Sequence, residues 1–366
     1  MNESDVGEPR DIVVSVDSLR DFSTALLQGA GMTAVDATLA AKVIIDANLR
    51  GVDTHGAFNL RLYVRRLHLG LINPVPRMTF ERRRTAVGVL DADGGMGHVA
   101  TVRAMEHAVE MARETGVATV LVKNSNHFGA AAYYVNWAAE QNCVGMVWSP
   151  AESSVVPFNG RKRFFGTNPI AVSAPRGNVY PGFTLDMATS VVAGGKYYKA
   201  AKEHRTIPEG WAIDGDGRPV TQPSDDDAIF STYSGLPMGG AKGTGFATMI
   251  EFTTSLLMGT QWGPTIVRWS DDLEHKVSIS HYVQAMDVEA FDSIDEYRKR
   301  VDEFSAAFKA IPPVEGVEEV LLPGEPELRT ARLRSVAGCP LTAHTLAMLA
   351  DAAATVGVPF TLRDGR

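Results

Sequence analysis

The chain reads as an α/β protein of the α+β kind, with a mixed sheet in its middle and a helical domain formed by its two ends. Two observations predict this. From about residue 80, short apolar runs alternate with helix-periodic stretches, the pattern of strands joined through helices. Amphipathic helical segments stand at both ends, where they can pack together. The division expected is residues 1–80 with 325–366 for the helical domain and 81–324 for the α/β domain.

The first ten residues are polar and are read as loose. Asp17 or Ser18 can cap a first helix on which Leu19, Phe22 and Leu26 recur, ended by Gly29 and Gly31. A second helix covers about 35–49, with Leu39, Val43 and Ile44 facing inward and Gly51 as its stop. Asp53 to Gly56 then falls just beyond a helix C-terminus. A third helix, 60–69, ends at Gly70 ahead of Asn73-Pro74. There follow a strand (86–90), a helix (102–115), a strand (117–122), a helix (130–141) and a strand (144–148). Asp214-Gly215-Asp216-Gly217 is a tight turn. Residues 241–258 open rich in glycine and continue as one helix with Phe246, Ile250 and Leu257 apolar. Leu322 to Pro326 is a proline-bracketed turn, and 341–355 is a last helix closed by Gly357. No internal repeat or low-complexity segment interrupts this order.

At 366 residues the chain can bury a substantial core, and 45% apolar with 21% charged residues is a soluble composition. A net charge of −8 argues against nucleic acid as a partner. Arg82-Arg83-Arg84 and Arg161-Lys162-Arg163 are short enough to be solvated turns or strand edges. Cys143 and Cys339 lie far apart and make no disulfide framework, which fits a reducing cytosol. Met1-Asn2-Glu3-Ser4-Asp5 lacks the basic-then-apolar order of a signal peptide. No apolar run approaches the roughly 20 residues that span a bilayer. A cytoplasmic protein with no membrane partner is the expectation.

Two histidine-glycine clusters stand out about seventy residues apart. Lys123-Asn124-Ser125-Asn126-His127-Phe128-Gly129 follows the apolar run 117–122, so His127 sits at the exit of a buried strand. Arg50-Gly51-Val52-Asp53-Thr54-His55-Gly56 is the other. Histidine trades a proton near neutral pH, so the pair suggests one site assembled from two segments. Each cluster alone can equally be a turn whose histidine bonds a backbone carbonyl. No Gly-x-Gly-x-x-Gly follows a strand, and no P-loop is present. Gly239-Gly240-Ala241-Lys242-Gly243-Thr244-Gly245 is the nearest substitute, able to offer helix N-terminal amides and a cation to a phosphate or ribose. A close-packed turn explains its glycines equally well. Gly166-Thr167-Asn168-Pro169, Leu185-Asp186-Met187-Ala188-Thr189-Ser190 and Leu322-Pro323-Gly324-Glu325-Pro326 complete the set.

In this order the motifs Arg-Gly-x-Asp-Thr-His-Gly, Asn-Ser-x-His-Phe-Gly, Gly-Thr-Asn-Pro, Asp-Met-Ala-Thr-Ser, Ile-Pro-x-Gly-Trp, Gly-Gly-x-Lys-Gly and Leu-Pro-Gly-Glu-Pro resemble the type-2 malate/L-lactate dehydrogenase family, across about residues 15–360. The resemblance implies an NAD- or NADP-dependent oxidoreductase, leaning to NAD, with a non-Rossmann mixed-sheet cofactor domain. It also implies a homodimer acting on a small-molecule substrate, a 2-oxo or 2-hydroxy acid or a related carbonyl or imine. Carried over position by position, His127 matches the general acid/base. His55 matches the substrate-side histidine, with Thr54 keeping the hydroxyl of a common serine. Phe128, Gly129, Thr167, Leu185, Asp186, Met187, Lys242, Gly324, Glu325 and Pro326 match cofactor contacts. Many members place an arginine four residues after the first histidine. This chain has Asn59 there, so the substrate is expected either to present an amide- or hydroxyl-compatible group to Asn59 or to reach another arginine such as Arg50 or Arg61, and Asn59→Arg is expected to improve use of simple 2-oxo acids.

Two rival readings remain. A metal-dependent hydrolase would use His55, His127, Asp186 and His98, but no His-x-His or His-Glu-x-x-His spacing supports a metal site. A non-catalytic binding protein of the same fold is the other.

Overall fold

The computed structural model describes residues 11–202, 204–223 and 233–365. The loose segment expected over residues 1–10 lies outside the described residues. In chain order the elements are β1 (Ile12–Val14), α1 (Val16–Gly29), α2 (Ala34–Leu49), α3 (Leu60–His68), β2 (Thr79–Arg84), β3 (Val87–Asp91), α4 (Gly97–Thr115), β4 (Val117–Ser125), α5 (Ala132–Glu140), β5 (Cys143–Trp148), β6 (Ile170–Ser173) and β7 (Thr184–Met187). There follow α6 (Gly194–Lys202), β8 (Ala212–Ile213), β9 (Ser234–Gly235), α7 (Ala241–Thr253), α8 (Ser255–Met258), β10 (Ile279–Asp287), α9 (Ile294–Lys309), α10 (Glu325–Ala337), β11 (Cys339–Leu341) and α11 (Ala343–Val356). The chain divides into two compact units, one of residues up to Val75 together with those from Pro326 onward, the other Pro76–Glu325.

The first unit is helical. Ser15, not Asp17 or Ser18, caps α1: its hydroxyl accepts from the Ser18 N–H at 3.2 Å, and Asp17 instead sits in the first turn, where the helix dipole favours a carboxylate. Thr33 caps α2 through Asp36 N–H in the same way. Small and branched residues on α2 (Ala37, Ala40, Ala41, Ile44, Ile45) are wholly buried, as are Leu60 and Val64 of α3 and Leu349 of α11. A short antiparallel ribbon, β1 on β11, stitches the two chain ends, with Ile12 opposite Leu341 and Val14 opposite Cys339.

The second unit is built on a seven-stranded mixed sheet of order β2-β3-β4-β10-β5-β6-β7. Only β3 and β4 run parallel, joined by the crossover helix α4; the other neighbours are antiparallel. Val120, Val283 and Val147 pair across β4, β10 and β5 and are completely buried, so the core centres on β10. Helix α5 lies so close to β5 that a Cβ on Gly145 would meet Ala138 Cβ at 2.8 Å.

The expected mixed α/β sheet is present, with local differences. Helix α4 starts at Gly97, five residues before 102, because its first turn packs under the β4–α5 loop: a Cβ on Gly97 would lie 2.1 Å from the Asn126 carbonyl oxygen. Strand β4 runs on to Ser125. The helix expected over 241–258 is two, broken at Thr254, whose φ of −124° and ψ of −90° are not helical. Strands β1, β2, β8, β9, β10 and β11 and helices α6, α9 and α10 had no counterpart in the sequence reading. No described helix is long and apolar enough to cross a membrane.

Candidate functional site

In the second unit, the loop after β4 is fixed by its own polar side chains. Asn124, at φ 53°, donates from its amide to both Asp91 oxygens, at 3.0 and 3.1 Å. Asn126 donates to the carbonyls of Gly94 and Gly95 at 2.9 and 3.0 Å. His127, half-buried between these anchors and Gly129 (φ 74°), accepts at Nδ1 from the Gly129 N–H at 3.3 Å. The indole of Trp269 stacks on the imidazole, centroids 4.2 Å apart and planes 14° from parallel. Phe128 turns inward and buries its ring against His281 (4.7 Å, 7°) and Tyr134, whose hydroxyl donates to the Phe128 carbonyl. A ligand can meet Phe128 only through its backbone.

The remaining motifs of this unit meet along β7, the last strand of the sheet. Asp186 is exposed, and its Oδ2 accepts from Ala132 N–H at 2.8 Å, which ties β7 to the start of α5 just past His127. Leu185 and Met187 flank it, half-buried. Thr189 donates from its backbone N–H and hydroxyl to the Thr167 carbonyl (2.8 and 3.1 Å) and accepts from Met238 N–H at 2.9 Å. A Cβ on Gly243 would lie 2.7 Å from the Thr189 carbonyl oxygen, so close packing demands this glycine. Gly239 and Gly240, at φ 55° and 61°, turn the chain into α7 and leave Lys242 exposed in its first turn. Asn168 braces Thr167 by accepting from Ala151 N–H (3.0 Å) and donating to Glu251 Oε1 (3.1 Å). Burial pushes the Glu251 carboxyl above its ordinary range. Thr167 also lines a small recess with Tyr197 and Tyr233. The Leu322–Glu325 turn docks on β7: Thr184 N–H donates to Pro323 O at 3.1 Å, and a Cβ on Gly324 (φ 88°) would strike Thr184 at 2.7 Å. The Glu325 carboxylate points inward, bonded by Lys309 Nζ at 2.9 and 3.0 Å and by Leu322 N–H, so the turn presents backbone rather than that side chain.

Arg50, Thr54, His55, Asn59 and Pro326 belong to the first unit. Asp53–His55 form a 3-10 turn just past α2. The Asp53 carboxylate is held by both ends of Arg334 and by the Asn48 amide at 2.9 Å. Asn48 Oδ1 accepts from Ala57 N–H at 2.7 Å, and a Cβ on Gly56 would lie 2.2 Å from that oxygen. Thr54 Oγ1 lies 3.1 Å from His55 Nδ1, and burial holds the His55 imidazole below its ordinary pKa. Asn59 spends its amide locally, donating to the Thr54 carbonyl at 2.8 Å and bonding the buried Tyr63 hydroxyl. Arg50 is tied to Asp46 at 2.7 Å and Arg61 to Asp351 at 2.6 Å. Among the described residues no group of three His, Cys, Asp or Glu is placed to hold a metal ion.

A family model for malate/L-lactate dehydrogenase matches residues 14–350. This chain belongs to the malate/L-lactate dehydrogenase family. It is 38% identical to the L-sulfolactate dehydrogenase of Methanocaldococcus jannaschii over 309 residues, 84% of this chain and 87% of that one. It is 32% identical to the NAD(+) ureidoglycolate dehydrogenase of Escherichia coli K12 over 89% of this chain and 91% of that one. The crystal structure of malate dehydrogenase from Entamoeba histolytica superposes with a TM-score of 0.89 at 28% identity, covering 96% and 99% of the two chains.

For this malate/L-lactate dehydrogenase family member, supporting side chains had no sequence signal: Asn48 and Arg334 in the first unit, Trp269 and His281 in the second. Trp269, His281 and Arg334 each act across a long stretch of chain, so no local spacing marks them. Asn48 came nearest to being legible, as the polar residue next to the end of α2.

Proposed function

We propose that this protein is an oxidoreductase, dependent on NAD or NADP with a lean to NAD, that interconverts a small 2-hydroxy acid with its 2-oxo acid, or a related carbonyl or imine. The observation that carries the reading is the braced His127 loop beside the Asp186–Ala132 link, with the Thr167, Lys242 and Gly324 turns strung along the same sheet edge. These residues suit a dinucleotide. A glycine cradle with no room for a Cβ opens α7, Lys242 offers a cation, and the outer edge of β7 offers the backbone of Asp186, flanked by Leu185 and Met187. Gly129 and the Gly324-Glu325-Pro326 turn add backbone contacts. When bound, the nicotinamide supplies or accepts the hydride.

The protein's own part is positioning and proton traffic. His127 delivers a proton to the carbonyl oxygen in reduction and withdraws it in oxidation, a role that contributes about 10²–10⁴-fold in rate. His55, neutral through burial and oriented by Thr54, hydrogen-bonds a substrate oxygen. Asn59 acts by shaping the Thr54 turn, and Arg50 is steered by Asp46. The enzyme works as a homodimer in the cytoplasm. The exposed Phe252, Leu256 and Leu257 of α7 and α8 favour a second copy, and two free, buried cysteines suit a reducing compartment. The test is a screen of 2-oxo acids, cyclic imines and hydroxy acids with NADH, NADPH and their oxidised forms, read at the nicotinamide absorbance. Turnover of at least one pair is expected. No turnover together with no cofactor binding by fluorescence titration would overturn the reading.

A further inference from the structure

We propose that His281 is a positioning residue for the His127 loop: its imidazole joins the end of β4 to the end of β5 and presses on Phe128, so that the peptide carrying His127 is held in one conformation. The proposal rests on the reading of His127 as the proton-transferring group. His281 lies on β10, the strand inserted between β4 and β5, and is completely buried, so it cannot itself reach a substrate. Its two ring nitrogens reach the two strands that flank β10. Nδ1 lies 2.8 Å from Ser149 Oγ, one residue past β5, and Nε2 lies 2.8 Å from Ser125 Oγ, the last residue of β4. The Ser149 hydroxyl donates to the Pro150 carbonyl at 2.9 Å and the Ser125 hydroxyl to the Asn126 carbonyl at 3.4 Å, and the His281 ring also bonds the Asn126 backbone, the residue before His127.

The strand pairing is irregular at the same place. Ile279 pairs with Ser125 and His281 with Val122, so Ser280 alone opposes Lys123 and Asn124, a bulge with Asn124 at φ 53°. A bulge re-aims the chain beyond it, and what lies beyond is His127. The ring of His281 stacks on Phe128, the residue after His127, while its Ser125 bond holds a residue two before. Both sides of His127 are therefore bound to one side chain. An apolar residue would fill the same volume, yet Ser125 and Ser149 are also fully buried and would each lose a hydrogen bond. Directional bonds among buried polar groups specify a single arrangement in a way apolar contact does not. Burial depresses the imidazole pKa to about 3, so the one-donor, one-acceptor pattern is kept at any working pH.

The test compares His281→Phe, which keeps an aromatic ring against Phe128 but loses both bonds, with Ser125→Ala and Ser149→Ala, which lose one each. Four quantities are read on each protein: kcat, cofactor Kd, melting temperature, and the rate at which diethyl pyrocarbonate modifies His127, mapped by mass spectrometry without substrate. Folded variants should lose about tenfold or more in kcat, since small misplacements of a reacting group cost that much. Cofactor Kd should stay within about twofold, and the His127 modification rate should change alongside kcat. Unchanged kcat and unchanged His127 modification in a folded variant would overturn the proposal. If His281→Phe does not fold, the two serine variants decide. A His127→Ala control separates the two ideas: full turnover in that variant sinks the proton-transfer reading, while the modification rates still report whether His281 sets the loop.

Discussion

Arg334 grips Asp53 with both ends of its guanidinium, at 2.7 and 3.1 Å, across 281 positions of sequence. The same side chain also donates to the Asn48 carbonyl, so one arginine near the end of α10 closes the turn that carries Thr54 and His55. A lysine offers a point charge and cannot span two carboxylate oxygens. Arg334→Lys should destabilise the protein by about 1 kcal/mol, below the roughly 1.5–3 kcal/mol of a charged hydrogen bond because the Asp53 side chain is 45% exposed. A double-mutant cycle with Asp53→Asn, followed by urea unfolding, should show the two losses to be non-additive. Additive losses would mean that the pair does not act as one unit.

His127→Ala should cut turnover by at least about 10²-fold and leave cofactor binding nearly intact, since the proposed role is proton transfer. Retention of more than about a tenth of wild-type turnover would refute it.

Lys242→Ala should act on the other half of the reaction. Loss of one exposed charged contact corresponds to about a tenfold weaker cofactor, with kcat at saturation little changed. Fluorescence titration with NADH and NADPH measures both Kd values. Identical affinities in the two proteins would place the phosphates elsewhere.

Sequence alone suggests that Asn59→Arg would restore an absent carboxylate grip. The hydrogen bonds of Asn59 argue for the opposite outcome. Asn59 is consumed in holding the Thr54 carbonyl and the Tyr63 hydroxyl, and an arginine cannot reproduce this short local bond. Asn59→Arg should therefore lower kcat/KM with every substrate, 2-oxo acids included. Improved use of pyruvate or oxaloacetate by this variant would show that the side chain turns outward.

Stability should fall as pH drops from about 6.5 toward 3. A histidine in the unfolded chain takes up its proton near pH 6.5, whereas folded His281 stays neutral down to about 3. The unfolded state then binds more protons, so stability rises with pH across that window, by up to about 1.4 kcal/mol per pH unit for one group. Glu152 and Glu251 act in the opposite sense, because burial raises their carboxyl pKa values and folding favours their protonated forms. His281→Phe should flatten the acid limb of a urea-unfolding series taken between pH 6.5 and 4. An unaltered slope would mean that His281 gains a proton in the folded state.

What the sequence made legible was set by local signals. Helices α2 and α3 and strand β4 carry clean apolar periodicity and lie within a few residues of where it puts them. Strand β10 escaped because its buried face includes Ser280 and His281, polar residues that burial tolerates only through partners far away in sequence. Helix α9 carried legible signals that the reading passed over: Ile294, Tyr297, Val301, Phe304 and Phe308 recur at helical spacing, and Ser293 three positions before Glu296 is a helix-start signature. For the site, motif segments were legible, but their supports were not. Asn59 shows the cost: its position in a motif says nothing of where its amide points.

The placement of β10 between β4 and β5 has a consequence for how the chain is made. Strands β4 and β5 leave a synthesising ribosome some 130 residues ahead of the strand that belongs between them. Until residues 279–287 emerge, both present open edges rich in valine, the kind of surface that pairs with neighbouring chains. The nascent polypeptide therefore passes through a long interval in which its central sheet cannot close, and yield in an expression host should depend on holdase chaperones more than on the final stability of the fold.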